Sequence, residues 1–384
     1  MILACENSRM REFDVVIIGA GIAGASLAYR LADRRSVLLL EREAQPGYHS
    51  TGRSAAMFME SYGPPAVRAL TRASRAFYEH PPAGFADVPL LAPRGVLYIG
   101  THGQEALLAQ TQQAIGSSGT ELERLDAAAT LARLPCLRPE VVQGALFDGD
   151  AQDIDVHALH QGFLRGARAR GGELRTGAEL AAARHDGAGW ALHLANGDAV
   201  RARSVVDAAG AWADEAAALC GAAPVGLVPC RRSAFTFNAP DGVDVSRWPA
   251  AVGADESWYF KPDAGRLLGS PANADPTRPH DIIPEELDIA LGIHQIESVT
   301  TLTIRRPAST WAGLRSFVRD GEMVIGWDDR CPAFFWLAAQ GGYGIQSAAG
   351  ASELAASLLC GEPLPPHLVR HGVDPRALAP RRLR

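Results

Sequence analysis

The sequence predicts an α/β fold: a Rossmann-like dinucleotide-binding domain with an inserted α+β domain built on an antiparallel sheet. Three observations carry the prediction. A complete strand–helix–strand unit stands near the start, FDVVIIGAGIAGASLAYRLADRRSVLLLE at 13–41. Strand–glycine–helix patterns return at 204–219 and 334–359. Between them, from Cys230, the pattern changes to short strands separated by turn residues, RRSAFTF, SWYFKP and RLLGSP.

In the first unit, Val15 to Ile18 form an apolar, β-branched run suited to a strand buried on both faces. Gly19, Gly21 and Gly24 follow in GxGxxG spacing, with Ala23 inside it. The glycines give a tight turn, close backbone approach to a pyrophosphate, and close helix–strand packing. Ala25, Ala28, Leu31 and Ala32 recur at helical spacing, and the second strand, Val37 to Leu40, ends in Glu41. A carboxylate there can accept both hydroxyls of an adenosine ribose and would repel a 2′-phosphate. The unit therefore favours FAD or NAD over NADP.

After Glu41 and Arg42, the loop carries Gly47, Ser50, Thr51, Gly52, Arg53, Ser54, Ala55 and Ala56, small enough for the most part to lie flat against a planar cofactor. Met57, Phe58 and Met59 are too apolar for a surface loop. Further on, Val67 to Tyr78 reads as an amphipathic helix and Gly95 to Ile99 as a strand; Glu105 to Ser117 and Asp126 to Leu134 read as exposed helices. Asp155 is placed to cap the next helix. Glu285 to Ile296 reads as another helix, and Thr300 to Ile304 as the start of a return to the first domain. The expected division is an extension at 1–12, dinucleotide-binding segments at 13–84, 151–225 and 306–384, and inserted segments at 85–150 and 226–305.

Composition narrows the function. Across 384 residues, 47% hydrophobic and 21% charged residues are ordinary for a globular enzyme, and a net charge of −6 offers no attraction to nucleic acid or an anionic membrane. Lys261 is the single lysine. Cys5, Cys136, Cys220, Cys230, Cys331 and Cys360 are scattered without metal-ligand spacing, and His157, His160, His185 and His193 lack partners at such spacing, so no metal site is expected. With neither a signal-peptide core nor an integral membrane segment in the sequence, the expected location is cytoplasmic.

GAGIAG with Glu41, DAAGAWA at 207–213 and QGGYGIQ at 340–346 resemble, in this order, the D-amino-acid oxidase superfamily of FAD-dependent oxidoreductases, which includes glycine oxidase. EREAQPGYHSTGRSAA, LHQGFLRG, LLGSPANADP, TLTIRRP and TWAGLRSFV are similar to the bacterial FAD-dependent D-arginine dehydrogenases. The resemblance implies bound FAD and hydride transfer from an amine carbon to the flavin, with the imine then hydrolysed to a keto acid and ammonia. It implies ADP contacts from Gly19 to Gly24, Glu41, Arg42, Leu180 and Gly210, and flavin contacts from Ser50 to Ala56. Gly341, Gly342, Tyr343, Gly344, Ile345 and Gln346 fall beside the pyrimidine ring, where a helix N-terminus favours developing negative charge. The carboxylate clamp falls on Arg315, with Arg232 and Tyr259 on neighbouring strands, Tyr62 as a lid, and Gly313 and Gly342 beside the substrate. Strand alternation places Arg232, Ala234 and Thr236 on one face, opposite Arg231, Ser233 and Phe235.

This chain departs from the D-arginine pattern where specificity is set. Val96 stands where those enzymes hold an acid for the guanidinium, and Met57 and Met59 replace a histidine and a threonine. An apolar D-amino acid is therefore expected as substrate. Leu267 or a neighbour replaces the lysine that activates oxygen in the sarcosine-oxidase branch, and no cysteine lies near Gly313 to Phe317 in sequence. Noncovalent FAD, and electron transfer to a quinone or another carrier, follow. The alternatives are a glycine or sarcosine type oxidase using O₂, a flavin domain of a nucleic-acid-modifying assembly, and a nicotinamide-only dehydrogenase.

Overall fold

In the computed structural model, which describes residues 11–116 and 120–384, the chain forms two large sheets and one small one. The expected 1–12 extension lies outside the described residues except for Arg11 and Glu12, which open the first strand, Arg11–Ile18. Cys5 and Ser117 also lie outside them.

The eight-stranded sheet has a parallel heart in the order Glu173–Arg175, Val37–Leu40, Arg11–Ile18, Ala199–Asp207, Phe334–Ala338. Its strands are apolar nearly throughout because helices cover both faces. Ile17, Leu39, Phe335 and Leu337 pack with Ile22–Leu31, Val156–Ala169 and Gly344–Cys360 on one side. Val16, Val205 and Trp336 pack with Ala213–Leu219 on the other. Asp155 caps its helix, accepting from the Ala158 N–H at 2.8 Å.

The nine-stranded sheet is antiparallel except where Ala250–Gly253 runs parallel to Val96–Thr101, joining the two inserted segments. Its long ribbon pairs Val228–Phe237 with Ser309–Phe317 along nine residue pairs. Residues 309–317 were grouped by sequence with the dinucleotide unit, yet they belong to this second sheet; strand pairing is decided by a partner some 80 residues away, which no local pattern reveals. A three-stranded sheet, Met57–Phe58, Gln152–Ile154 and Leu91–Pro93, bridges the two.

Candidate active site

The C-terminal ends of parallel strands are where such sheets leave room for a ligand. Here Gly19 follows Ile18, Glu41 follows Leu40, and Ala208 follows Asp207, and all three line one cavity. Glu41 is buried, its carboxylate accepting from the Ala20 and Glu43 N–H groups at 3.2 and 3.0 Å. Burial, opposed by those two N–H groups, raises its pKa above the usual carboxylate range. Arg42 stacks over Trp212 at 5.0 Å, and Leu180 and Gly210 complete this end.

The helix Ile22–Leu31 begins at Gly21 without a side-chain cap of its own. Thr51, far along the chain, supplies one: its Oγ1 accepts from the Ile22 N–H at 3.0 Å. A methyl on Gly24 would stand 1.9 Å from the Gly19 carbonyl oxygen, so helix and strand can meet only at glycine. Gly21, Ile22 and Ala23 line the second cavity, which continues from the first through Ser50, Thr51 and Gly210. Ser54, Ala55, Gly341, Gly342, Gly344 and Ile345 border it, at the N-terminus of Gly344–Cys360.

The second cavity ends at the nine-stranded sheet. Arg232 stands opposite Gly313 in the ribbon and Arg315 two residues further, so both guanidinium groups project from one face. Tyr259, Ala234 and Gly313 share that wall. Arg315 Nη1 donates to the Tyr62 hydroxyl at 3.1 Å, and Arg232 Nε to the Asn273 carbonyl at 2.5 Å. Among the described residues neither makes an ion pair with an acid. Arg231, on the opposite face, makes three, to Asp275, Glu285 and Asp288. Burial and the neighbouring Arg315 charge pull Arg232 below the ordinary guanidinium value. An anion bound between the two would offset the repulsion between them.

A third cavity opens from the arginines, lined by Ala56, Met57, Met59, Tyr62, Val96, Tyr98, Val252, Ala272 and Gln346. Val96 is fully buried, and Glu256 and Lys261 also border the space.

The structure thus brings the expected residues into one channel, with particular exceptions. Gly24 and Gly52 line none of it; Gly24 serves helix–strand packing, and a methyl on Gly52 would meet the Gly47 carbonyl oxygen at 2.8 Å. Tyr343 lies behind the wall, its ring edge-on to Tyr62 at 5.1 Å. Arg53 borders the second cavity, but its guanidinium is turned to the Ile282 and Ala312 carbonyls and to Asp281, tying the loop to the nine-stranded sheet. The Gln346 amide braces the pocket wall instead, accepting from the Met59 N–H and donating to the Tyr62 carbonyl, both at 3.3 Å, and to Thr71 at 3.0 Å. Leu267 faces the core with Phe235 and Phe260. Cys230, distant in sequence from Gly313 to Phe317, is Arg315's register partner, with its Sγ turned to the Val228 carbonyl.

Sequence reasoning missed His49, Trp212, Tyr98 and Glu256 as lining residues. It noted Lys261 only as the sole lysine, a signal that could have been followed. The channel fits an extended dinucleotide: an acid at the ribose end, a helix N-terminus and glycine turn in the middle, and small residues at the far end. With FAD bound, Glu41 would hold the ribose, the Gly19–Gly24 turn the diphosphate, and the Ser50–Ala56 and Gly341–Ile345 segments the flavin. Among the described residues no cluster of histidine, cysteine or acids could hold a metal ion, and no helix is long and apolar enough to cross a membrane.

A family model described as FAD dependent oxidoreductase (DAO) matches residues 14–358. Among curated relatives, N-methyl-L-tryptophan oxidase of Salmonella typhimurium is 25% identical over 286 residues, covering 69% of this chain and 74% of that protein. L-2-hydroxyglutarate dehydrogenase of Salmonella houtenae is 25% identical over 229 residues, 57% of this chain, and the match spans about half of that protein, 52%. The solved structure of glycine oxidase from Geobacillus kaustophilus superposes with a TM-score of 0.81 at 21% identity, covering 92% of this chain and 96% of that one.

Proposed function

Because the chain belongs to the DAO family of FAD dependent oxidoreductases, we propose that it oxidises a D-amino acid by FAD-dependent dehydrogenation, acting on neutral side chains in preference to cationic ones. The observation that carries this reading is the pair Arg232 and Arg315, converging on the junction of the second and third cavities, neither of them in an ion pair with an acid among the described residues. Guanidinium groups so placed grip a carboxylate by parallel charge-assisted hydrogen bonds and so fix the α-carbon. Tyr62, held by Arg315, closes over it. FAD bound in the channel would supply the hydride acceptor. The chain contributes orientation, the exclusion of water by Met57, Met59 and Val96, and the positive end of Gly344–Cys360 toward the flavin's pyrimidine side. No acid or base need act at the α-carbon if the amine enters neutral, since the nitrogen lone pair forms the C=N bond as the α-hydrogen leaves with its bonding pair as hydride.

The apolar wall sets the side-chain preference. A cationic tip left without an acid in such a pocket costs on the order of several kcal/mol, whereas burying an apolar side chain contributes roughly 1.5 to 3 kcal/mol. Glu256 is exposed at the cavity border, while Lys261 is buried in its wall and repels a cation. We take the flavin to be noncovalent, with Cys230's sulfur directed to a carbonyl, and the electron acceptor to be a quinone or another carrier.

The test is reduction of the yellow protein under argon by D- and L-amino acids, glycine and sarcosine. Bleaching by neutral D-amino acids, faster than by D-Arg or D-Lys, is the expected result. Preference for D-Arg overturns the side-chain reading, and rapid O₂ uptake with glycine or sarcosine selects the oxidase alternative.

A further inference from the structure

Lys261 is the one lysine among 37 lysines and arginines. Everywhere else that this chain places a fixed positive charge, arginine provides it. Position 261 is where a compact ammonium with three rotatable donors stands in place of a planar fork. The residue is 3% exposed. It lies two positions beyond Tyr259 in the strand Tyr259–Asp263, hence on the same face, and lines the cavity that also holds Arg315, Met57 and Val96. Its Nζ donates to Asp153 Oδ1 at 2.7 Å, and Asp153 Oδ2 accepts from Arg94 Nε, also at 2.7 Å. One carboxylate thus serves two cations, and the cluster stays net positive. Among the described residues Asp153 is the only acceptor that Lys261 finds, which leaves two ammonium N–H groups for the contents of the cavity. A buried donor without a partner is costly, and an acceptor brought in by a ligand relieves that cost.

We infer that Lys261 is a specificity-determining residue, donating a hydrogen bond to an oxygen acceptor at the tip of the substrate's side chain. Two residues of strand carry it about 7 Å past Tyr259, the reach of a side chain of four or five atoms from an α-carbon held at the arginines. The methylenes of such a side chain pack on Met57, Met59 and Val96, and its end, an amide or a carboxylate, meets the ammonium. Guanidinium and ammonium tips are rejected. This assignment rests on reading the cavity as an amino-acid site, and it sharpens the disfavouring of cationic side chains proposed above into a preference for an apolar stem with an acceptor end, amide or carboxylate.

The test separates side-chain recognition from reaction by using carboxylates that lack an amine. The FAD-loaded protein and its Lys261→Met variant are titrated with glutaramate, glutarate, 4-methylpentanoate and 5-guanidinopentanoate, following perturbation of the flavin absorption spectrum. The unmodified protein should bind glutaramate or glutarate about 10-fold or more tighter than 4-methylpentanoate, and 5-guanidinopentanoate weakest. Which of the first two binds better tells an amide end from an anionic one. Lys261→Met should reverse the order while keeping or improving 4-methylpentanoate binding. Tightest binding of 4-methylpentanoate or 5-guanidinopentanoate by the unmodified protein overturns the assignment, even if the variant does not fold; so does an unchanged ratio in a folded variant. If the carboxylates bind in the expected order but no D-amino acid bleaches the flavin, the reaction reading fails and the role of Lys261 stands. If no carboxylate perturbs the flavin, both fall.

Discussion

Arg231 and Arg232 are neighbours in one strand and have opposite surroundings. Arg231 is enclosed by three acids and serves the fold; Arg232 and its diagonal partner Arg315 meet a carbonyl and a hydroxyl, and are the pair that we propose to bind an anion. Replacing Arg315 by alanine should therefore cost about 2 to 5 kcal/mol, roughly 30- to 4000-fold in kcat/KM for reduction by the preferred amino acid. Flavin content should be unchanged. Stopped-flow reduction of the variant at the wild-type rate would remove Arg315 from the site. A second residue, Asp207, is fully buried at the end of its strand, with one oxygen accepting from the Ala209 N–H at 3.0 Å and the other unpartnered. Burial, opposed by that single N–H, holds its pKa well above the usual carboxylate range. Above about pH 4 the unfolded chain has released this proton while the folded chain retains it, so unfolding releases a proton and stability falls as pH rises toward the folded pKa. Asp207→Asn removes this linkage. Its Tm relative to wild type should rise between pH 5 and pH 8 and approach a constant near pH 4; an offset independent of pH would mean that Asp207 is ionised in the fold.

Two elements meet at the second cavity, the ribbon strand Ser309–Phe317 and the turn before Gly344–Cys360, and they are fitted to each other at Gly342. A methyl there would stand 2.7 Å from Arg315 Nη1 and 2.8 Å from its Cζ. Gly342→Ala should push the guanidinium from its position and lower kcat/KM by about 100-fold, the cost of a displacement of about 1 Å in a positioning group. FAD retention and Tm should change little; loss of flavin instead would place the effect in the cofactor site. The legibility of these elements in the sequence follows from how local their causes are. The helix capped by Asp155, the glycine turn from Gly19 to Gly24, and the alternation separating Arg231 from Arg232 are written within a few residues, and the structure contains each of them. The membership of residues 309–317 in the second sheet depends on pairing with Val228–Phe237. The guanidinium of Arg53, assigned to the flavin from its loop, is drawn off by carbonyls of residues 282 and 312. Lys261, Glu256 and Tyr98 reach the cavity together only because the antiparallel pair Ala250–Gly253 and Tyr259–Asp263 is brought beside Val96–Thr101, a strand distant in sequence.

At the scale of the molecule, the channel passes between the two large sheets, and the chain crosses from one sheet to the other repeatedly to build it. The end proposed for the adenosine is formed by strand ends of the parallel sheet, and the end proposed for the flavin by Ser50–Ala56 lying against the ribbon, tied there by Ser50 Oγ to the Leu314 carbonyl at 2.6 Å. A ligand occupying the whole length joins both sheets, whereas one occupying only the flavin end leaves Glu41 and the diphosphate turn unused. Ligand binding to the native state alone adds about 2.7 kcal/mol of stability at a hundredfold excess over Kd, which in a chain of this size corresponds to a few degrees in Tm. Flavin-depleted protein should therefore gain that shift with FAD and much less with equimolar FMN, which carries the isoalloxazine but lacks the adenosine that Glu41 is placed to hold. Glu41→Gln should narrow the gap between the two by weakening FAD alone, by roughly 1.5 to 3 kcal/mol for a hydrogen bond to a charged group. Equal stabilisation by FMN and FAD in the unmodified protein would show that the buried carboxylate at the head of the channel takes no part in holding the cofactor.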